Sequence, residues 1–291
     1  MARLGASIRP VASSLSPRAR RYRAFLRSLP LDPETLSATL EPPDPGSFVM
    51  CGCPRTGTTL LSAALYQPPT CVTVMEPWDG MRLEPASLFR SLRAEIAGGT
   101  LTRGRLDQRA LGERGVVRWI SEGDAAWPVT ADVGHLLGVK WTSWWRFIDR
   151  LPTTPFLVCL RNPAEVVASM RDAGGRVKQG LQYETPFNRR LNDSLRAATD
   201  DQAVRRILLF DNIHEQLAPL LERDNVLVVR YERWSTDREA LLGDVSRFLG
   251  RDLSHAAVQV RPSQRLRMDR HEIDLLRAHC KTAEMIGYEL P

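Results

Sequence analysis

From residue 47 onward, short runs of apolar and β-branched residues alternate with stretches that have helical periodicity. Such runs are typical of strands that are buried on both faces of a parallel sheet. Their alternation with helices indicates βαβ units wound right-handed around that sheet. The predicted strands are 48–51, 71–75, 137–141, 156–160 and 226–230. The sequence therefore predicts an α/β fold, with a parallel sheet flanked by helices in a single domain.

Helical periodicity occurs between and after these strands. The predicted helices are 58–66, 86–96, 143–151, 164–171, 191–221, 237–248 and 269–284. Two further segments, 98–115 and 172–190, contain glycine among polar residues and lack a clean period. We expect both to be surface segments or lids over a site.

The net charge of +6 comes from the N-terminal part of the chain. Seven arginines and no acidic residue precede Asp32, which leaves 33 basic and 34 acidic residues in the rest. We therefore divide the chain into a basic, proline-ended arm at 1–46 and an α/β domain at 47–291, and we expect no nucleic-acid partner. The arm resembles either an organelle transit peptide or a solvated basic helix or tail. No apolar run is long enough to span a membrane.

The cysteines favour a reduced, cytoplasmic protein. All five are scattered without CxxC spacing, so neither a zinc knuckle nor a disulfide scaffold is indicated. Arginine supplies 37 of the 40 basic residues, a bias that we associate with GC-rich bacterial genomes.

The strongest local motif is FVMCGCPRTGTTLL at 48–61, in which a buried strand turns directly into a helix with an apolar face. This order directs backbone N–H groups and a helix N-terminus toward one point, where an anion can bind. Gly52 and Gly57 allow a tight bend around an oxyanion, and Thr58 and Thr59 add hydroxyl donors. The motif predicts a P-loop-like phosphate site; the alternative is a Gly-rich turn without a ligand.

This motif departs from the triphosphate-binding loop G-x-x-x-x-G-K-[ST] at one position. Gly52, Gly57 and Thr59 fit, but Thr58 replaces the lysine that reaches the β- and γ-phosphates. The cation is instead Arg55, inside the turn. A nucleotide kinase or triphosphatase with a degenerate loop is therefore the less favoured function.

A second motif, FLVCLRNPAEVVASMR at 156–171, passes from a buried strand through an Asn-Pro turn into a helix. A triphosphatase needs an aspartate at such a strand end to hold Mg²⁺, whereas this strand leads to Arg161. Ser169 lies two helical turns further on and shares a helix face with Glu165. Arg161 and Ser169 predict a second oxyanion site, separate from the first. The alternative is that Arg161 is a helix-entry charge and Ser169 a small packing residue.

Two phosphate sites at neighbouring strand ends, without a carboxylate that could hold a metal, fit a bisphosphorylated nucleotide. At these motifs the chain resembles the sulfotransferases that use 3′-phosphoadenosine 5′-phosphosulfate (PAPS), in the bacterial and tyrosylprotein-like branch. Their 5′-phosphosulfate loop is matched by PRTGTT at 54–59, which includes Thr56. Their 3′-phosphate motif is matched by RNP at 161–163, together with Ser169.

The resemblance spans about 48–250 and includes a third, weaker feature, VLVVRYERW at 226–234. It implies that Tyr231 lies beside the adenine. It further implies PAPS as the sulfuryl donor, adenosine 3′,5′-bisphosphate (PAP) as the product, and no metal.

The resemblance also assigns roles in catalysis. Arg55 is expected to contact the bridging region of the donor, and Lys140 to stabilise the departing bisphosphate. Lys140 ends an apparent strand in a chain with three lysines, although a surface amine is the alternative. Cytosolic small-molecule sulfotransferases place a histidine two residues after this lysine, where this chain has Thr142. The other branch has a glutamate after the second strand, so we expect Glu76 to be the general base, with His135 as the second candidate.

The acceptor follows less directly from the sequence. We expect the tryptophans beside Lys140 to pack in the core. Because Trp144 and Trp145 cannot both face the sheet, the alternative is that at least one of them lines the acceptor pocket or a channel. Arg261 and Arg265 are further candidates for cofactor contacts. A small-molecule, carbohydrate or peptidyl hydroxyl acceptor fits equally, the oligomeric state is left open, and a non-catalytic nucleotide-binding protein of this fold is a third function.

Overall fold

The structure is a computed structural model that describes residues 40–81, 84–102, 106–107, 118–119, 126–183, 185, 188–255 and 268–291. Its centre is a five-stranded sheet with the strand order β2-β7-β1-β8-β9. Every neighbouring pair in this sheet is parallel. The strands of the sheet are β1 (Ser47–Gly52), β2 (Cys71–Met75), β7 (Leu136–Lys140), β8 (Phe156–Leu160) and β9 (Val226–Arg230). The predicted parallel α/β architecture is confirmed, and each strand boundary lies within one residue of its predicted place.

Two small antiparallel pairs lie between β2 and β7 in the chain. They pair β3 with β6 and β4 with β5. Their bounds are β3 (Thr100–Leu101), β4 (Leu106–Asp107), β5 (Arg118–Trp119) and β6 (Trp127–Pro128). β3 lies within the segment 98–115, which the sequence predicts to be a loop.

Helices connect the strands and cover both faces of the sheet. The α-helices are α1 (Thr58–Ala64), α2 (Pro85–Ala97), α3 (Pro163–Arg171), α4 (Gly175–Lys178), α5 (Arg189–Ala198), α6 (Gln202–Leu217), α7 (Arg233–Thr236), α8 (Arg238–Leu249) and α9 (Arg270–His279). Shorter 3₁₀-helices span Trp78–Met81, Trp144–Arg150, Ala218–Leu220 and Glu284–Ile286.

Three helix predictions need correction. The predicted helix 191–221 is two helices, because Asp201 caps α6: its carboxylate accepts from the amides of Ala203 and Val204 at 2.7 and 3.4 Å. The predicted helix 143–151 is the 3₁₀-helix Trp144–Arg150. The predicted helix 269–284 begins after the capping box of Asp269 but ends at His279.

The central sheet is buried on both faces, as continuous apolar strands require. In β1, Phe48 and Met50 pack on one face together with α1 and α8. Val49 and Cys51 pack on the other face, in the larger core cluster that also holds α2, α3, α6 and the 3₁₀-helix Trp144–Arg150. The sheet therefore presents only its edges and strand ends for other roles.

The described end of the predicted arm packs against α2. Leu40 is buried in the larger core cluster, and Glu41 forms an exposed ion pair with Arg90 at 2.9 Å. The guanidinium of Arg93 donates to the Pro45 carbonyl at 3.2 Å. Among the residues that the structure describes, no helix is both long and apolar enough to cross a membrane.

Candidate functional site

The candidate residues meet at the carboxyl edge of the sheet, because parallel strands all end on the same side. Arg55 follows β1, Glu76 follows β2, and Lys140 is the last residue of β7. Arg161 follows β8 and Tyr231 follows β9. Each of the five strands therefore ends at, or is followed by, one of the candidate residues predicted from the sequence. β1 lies in the middle of the sheet, between β7 and β8.

The loop between β1 and α1 has the tight bend that its glycines predict. Gly52 has a φ of 141° and Gly57 a φ of 99°, both in the region that favours glycine. A Cβ at Gly52 would lie 2.5 Å from the Cys159 carbonyl oxygen. Thr56 stabilises the turn, since its hydroxyl donates to the Cys53 carbonyl at 2.7 Å. Thr56 is therefore a turn residue in this structure, and its side chain is buried.

The start of α1 faces this loop. Gly57 is the N-cap of α1 and makes no side-chain capping bond, so the first amides of the helix lack an intrahelical partner. Thr58 is buried and Thr59 is half-buried. The loop therefore combines free donor groups with a backbone bend, which is the arrangement that anion binding needs.

Arg55 and Glu76 share a rare backbone conformation. Their φ values are 76° and 46°, and they are the two non-glycine residues with positive φ in the part of the chain that the structure describes. For such residues this conformation costs of order 1–3 kcal/mol and tends to occur at functional sites. The two strained residues are also two of the three that the resemblance assigns to catalysis.

The two predicted anion sites are joined, which corrects their separation in the sequence interpretation. The Nε of Arg55 donates to the Oγ of Ser169 at 2.9 Å. The Nη1 of Arg161 donates to the Arg55 carbonyl at 3.3 Å. The register explains this contact, because β1 and β8 are neighbours and Gly52 pairs with Cys159. The two motifs are therefore in direct contact.

Glu165 and Tyr231 also hold Arg161 in place. Its Nε and Nη2 donate to the same carboxylate oxygen of Glu165 at 3.0 and 2.7 Å. Its guanidinium lies 4.1 Å from the centroid of the Tyr231 ring, a cation–π contact. The Tyr231 ring also packs against Gly57, where a Cβ would lie 2.5 Å from it. Tyr231 therefore connects the first loop to the second motif.

Glu76 and Lys140 form a buried ion pair that the sequence interpretation did not include. The Nζ of Lys140 lies 2.5 Å from the Oε1 of Glu76, and each side chain is 6% exposed. The backbones are also paired, since the Glu76 amide donates to the Lys140 carbonyl at 2.8 Å. The ion pair and the backbone hydrogen bond together hold the Glu76 carboxylate at the carboxyl edge of the sheet.

His135 does not lie with these residues. It immediately precedes β7, whereas Lys140 ends that strand, so five residues at about 3.3 Å each separate the two backbones. The ring Nδ1 of His135 is 2.9 Å from the Asp132 carbonyl. His135 lies at the amino edge of the sheet and is wrong as an alternative base.

The tryptophans after Lys140 belong to the core. Trp141, Trp144 and Trp145 are each at most 3% exposed. The indole N–H of Trp141 donates to the Pro77 carbonyl, and that of Trp144 to the Gly80 carbonyl. They fix the segment that follows Glu76, and their burial agrees with the core packing that the sequence favours over the lining of an acceptor pocket.

The segment 172–190 is more buried than the sequence predicts. Within its described part, Gln182 and Asn188 are nearly inaccessible, and Asn188 accepts from the Nη1 of Arg146 at 3.1 Å. Burial lowers the pKa of Arg146 to about 10. Arg261 and Arg265 lie outside the described residues. In the described residues, no cluster of His, Cys, Asp and Glu could hold a metal ion.

Sequence reasoning missed Glu232, which follows Tyr231. One carboxylate oxygen of Glu232 accepts from the Asn162 amide at 2.7 Å and the other from the Tyr288 hydroxyl at 2.8 Å. The signal was present in the run RYERW, where an acidic residue follows the strand-end tyrosine.

Comparison with known proteins finds a family match over the second half of the chain. Residues 151–286 match the family model described as a sulfotransferase domain. The match includes β8, α3 and β9, whereas the β1–α1 loop, Glu76 and Lys140 precede it.

The chain is also similar to individual proteins. Over 137 residues it is 29% identical to the nodulation protein NoeE of Sinorhizobium fredii (strain NBRC 101917 / NGR234). That alignment covers 43% of this chain and 31% of the relative, so the chain matches about a third of the relative's length.

Two solved structures resemble the chain at low identity. The sulfotransferase domain from the curacin biosynthetic pathway is 15% identical with a TM-score of 0.46, covering 87% of this chain and all of that one. The sulfotransferase from Alicyclobacillus acidocaldarius is 17% identical with a TM-score of 0.42, covering 81% of this chain and 90% of that one.

Proposed function

We propose that this chain, which carries a sulfotransferase domain at 151–286, transfers a sulfuryl group from PAPS to an acceptor hydroxyl or phenol. The observation that supports this most strongly is the contact between the two anion motifs. Arg55 reaches Ser169, and Arg161 reaches the backbone of Arg55. A donor with phosphate groups on both its 5′ and its 3′ positions needs two such cationic sites close together.

The donor set of the site fits PAPS. The β1–α1 loop offers backbone N–H groups at the start of α1, hydroxyl groups and the guanidinium of Arg55 for a 5′-phosphosulfate. Arg161 and Ser169 offer charge-assisted and neutral donors for a 3′-phosphate. The flat ring of Tyr231, beside Gly57, is available for contact with the adenine. We propose these residues as the binding set, together with Thr58 and Thr59, while Thr56 holds the turn through the Cys53 carbonyl.

Fixed cations can replace a metal in this reaction. PAPS, when bound, supplies a sulfuryl group that carries less negative charge than a phosphoryl group. Arg55 is held by Ser169 at the turn, so it meets the departing phosphate oxygen without reorganisation. We therefore propose that no metal takes part.

Glu76 is proposed as the general base. Lys140 holds its carboxylate in a buried ion pair, and its backbone has a strained φ of 46°. Glu76 takes the proton of the acceptor hydroxyl while the acceptor oxygen forms its bond to sulfur. The bond from sulfur to the bridging phosphate oxygen breaks with its electron pair, and Arg55 stabilises the resulting charge. Lys140 acts through Glu76, which refines its predicted role at the leaving group.

Two other functions fit the site less well. A kinase or triphosphatase with a degenerate loop lacks support, because Thr58 replaces the loop lysine and Arg161 stands where a metal-binding aspartate is needed. A non-catalytic nucleotide-binding protein would need no strained, ion-paired glutamate at the strand end.

We propose a small-molecule, carbohydrate or peptidyl hydroxyl as the acceptor. The five free, buried cysteines support a reducing, cytoplasmic location.

The test measures the formation of PAP from PAPS in the presence of a metal chelator. A simple phenol, a monosaccharide and a tyrosine peptide serve as acceptor probes. Glu76→Gln should lower turnover by at least about 100-fold, the usual contribution of a general base. Its affinity for PAP should stay within about twofold of the wild type, since Gln keeps the size of the side chain. Glu41→Gln, at an exposed carboxylate, is the matched control. Full activity of Glu76→Gln would remove Glu76 from the mechanism, and PAP binding without any turnover would favour the non-catalytic function.

A further inference from the structure

A turn near the C-terminus, formed by the 3₁₀-helix Glu284–Ile286 with Gly287 and Tyr288, packs on the end of β9. We call it the C-terminal turn. The Nη2 of Arg230 donates to the Ile286 carbonyl at 3.0 Å, and its guanidinium lies 4.8 Å from the centroid of the Tyr288 ring. Gly287 has a φ of 76°, and a Cβ there would lie 2.8 Å from Arg230 Nη2. The turn therefore depends on glycine to approach Arg230, and this approach brings Tyr288 to the strand end.

Glu232 links this turn to the second anion motif. Its Oε2 accepts from the Tyr288 hydroxyl at 2.8 Å, and its Oε1 accepts from the Asn162 amide at 2.7 Å. Burial and the Glu232 carboxylate raise the pKa of Tyr288, so its phenol remains a donor. Both carboxylate oxygens are thus engaged by donors on two segments far apart in the sequence.

The amide that Glu232 accepts from lies in the turn that carries Arg161. Asn162 is the next residue, and its side chain caps α3 by accepting from the Ala164 and Glu165 amides at 3.0 and 3.4 Å. Glu165 in turn holds the Arg161 guanidinium. A shift of the Asn162 backbone would therefore move both Arg161 and the helix that bears its partner.

The other side of Arg161 depends on the same residues. Tyr231, whose ring lies against the Arg161 guanidinium, stands between Arg230 and Glu232 in the chain. The C-terminal turn holds both of these neighbours, through the Ile286 carbonyl and the Tyr288 side chain. The turn therefore restrains Tyr231 from both sides, and through it the face of Arg161.

We propose that Glu232 and Tyr288 are positioning residues that fix Arg161 for the 3′-phosphate of the donor. This inference rests on the proposed function, because it takes Arg161 as the 3′-phosphate ligand. Neither residue needs to touch the nucleotide. Together they make selectivity for a 3′-phosphorylated nucleotide depend on the C-terminal turn.

The experiment compares the affinities for PAP and for AMP, which lacks the 3′-phosphate, by calorimetric titration. Glu232→Ala should lower the PAP affinity about tenfold, equivalent to about 1.4 kcal/mol, and the AMP affinity by no more than about threefold, because AMP has the adenine that Tyr231 contacts but no 3′-phosphate. Tyr288→Phe removes the hydroxyl alone and should lower the ratio of PAP affinity to AMP affinity by about threefold. Glu232→Gln keeps an acceptor for the Asn162 amide and should restore most of the ratio. Glu239→Ala, at an exposed carboxylate on α8, is the control.

The ratio separates positioning from a loss of folding, because a smaller folded fraction weakens both affinities equally. Equal losses for PAP and AMP, or no change in either variant, would overturn the inference. If Glu232→Ala does not fold, Tyr288→Phe decides by the same criterion. A wild-type protein that binds PAP and AMP equally would instead contradict the 3′-phosphate role of Arg161, and with it the proposed function.

Discussion

Lys140 and Glu76 form an ion pair of 2.5 Å across the ends of two adjacent strands. β2 and β7 are paired in register, with Met75 opposite Lys140, so the residue after β2 meets the last residue of β7. Both side chains are almost fully buried. Because a buried charge is costly without its partner, each residue holds the other in place.

This pairing predicts a strong coupling in stability. Lys140→Met alone leaves a buried carboxylate without its cation and should lower the free energy of unfolding by about 3–5 kcal/mol. Adding Glu76→Gln should recover most of that loss, since no buried charge remains. Urea unfolding of the wild type, both single variants and the double variant measures the coupling. Additive losses in the double variant would mean that the two charges do not interact.

The backbone conformation of Arg55 should lower the stability of the fold, and its guanidinium should be required for PAP binding. Its φ of 76° disfavours any residue with a Cβ, so Arg55→Gly should be more stable than Arg55→Ala by about 1 kcal/mol. Both variants lose the guanidinium and should lose PAP affinity by at least about tenfold, since a hydrogen bond to a charged group contributes about 1.5–3 kcal/mol. Thermal unfolding and PAP titration of the pair test this. A Gly variant less stable than the Ala variant would contradict the strain.

Gly57 should not tolerate a side chain. A Cβ there would lie 2.5 Å from the Tyr231 ring, and the φ of 99° adds backbone strain. Gly57→Ala should therefore lower the free energy of unfolding by more than about 1 kcal/mol and weaken PAP binding. The matched control is Gly243→Ala in α8. A Cβ added there would have no atom within 4 Å besides the backbone of its own helix, so this substitution should raise stability by up to about 1 kcal/mol. Similar effects of the two substitutions would argue against the close approach of Tyr231.

His214 should make stability depend on pH. Burial lowers its pKa to about 4, although Asp211 and the hydrogen bond to the Phe210 carbonyl act in the opposite direction. Between about pH 6.5 and 4 the unfolded chain binds a proton that the folded protein does not, so stability falls as the pH falls, by up to about 1 kcal/mol per pH unit. His214→Leu should reduce this slope, and His255→Gln, at a mostly exposed ring, should not. Urea unfolding at several pH values provides the slopes, and equal slopes in all three proteins would exclude His214.

The fold could be predicted because its signals are local. Apolar runs such as 156–160 and the cap at Asn162 act within a few residues, so their positions follow from the sequence. The strand-end rule then brings Arg55, Lys140 and Arg161 to one edge. The prediction of one helix at 191–221 was wrong because the cap at Asp201 lies inside an otherwise continuous helical pattern.

The contacts within the site could not be predicted, because they depend on strand order and register. Nothing in the spacing of Arg55 and Ser169, 114 residues apart, indicates that they touch. The same holds for Lys140 with Glu76 and for Tyr288 with Glu232. His135 precedes β7 in the sequence, so the strand-end rule itself places it at the opposite edge of the sheet from Lys140.

The most direct test of the sulfotransferase assignment is the nucleotide preference of the wild-type protein. Titration with PAP in a chelator and with ATP in excess Mg²⁺ compares the two ligand classes on one sample. The joined cationic motifs predict metal-independent PAP binding that is tighter than ATP binding by at least about tenfold, because ATP has no 3′-phosphate for Arg161 and Ser169. Binding of Mg²⁺–ATP that is tighter than that of PAP would contradict this account.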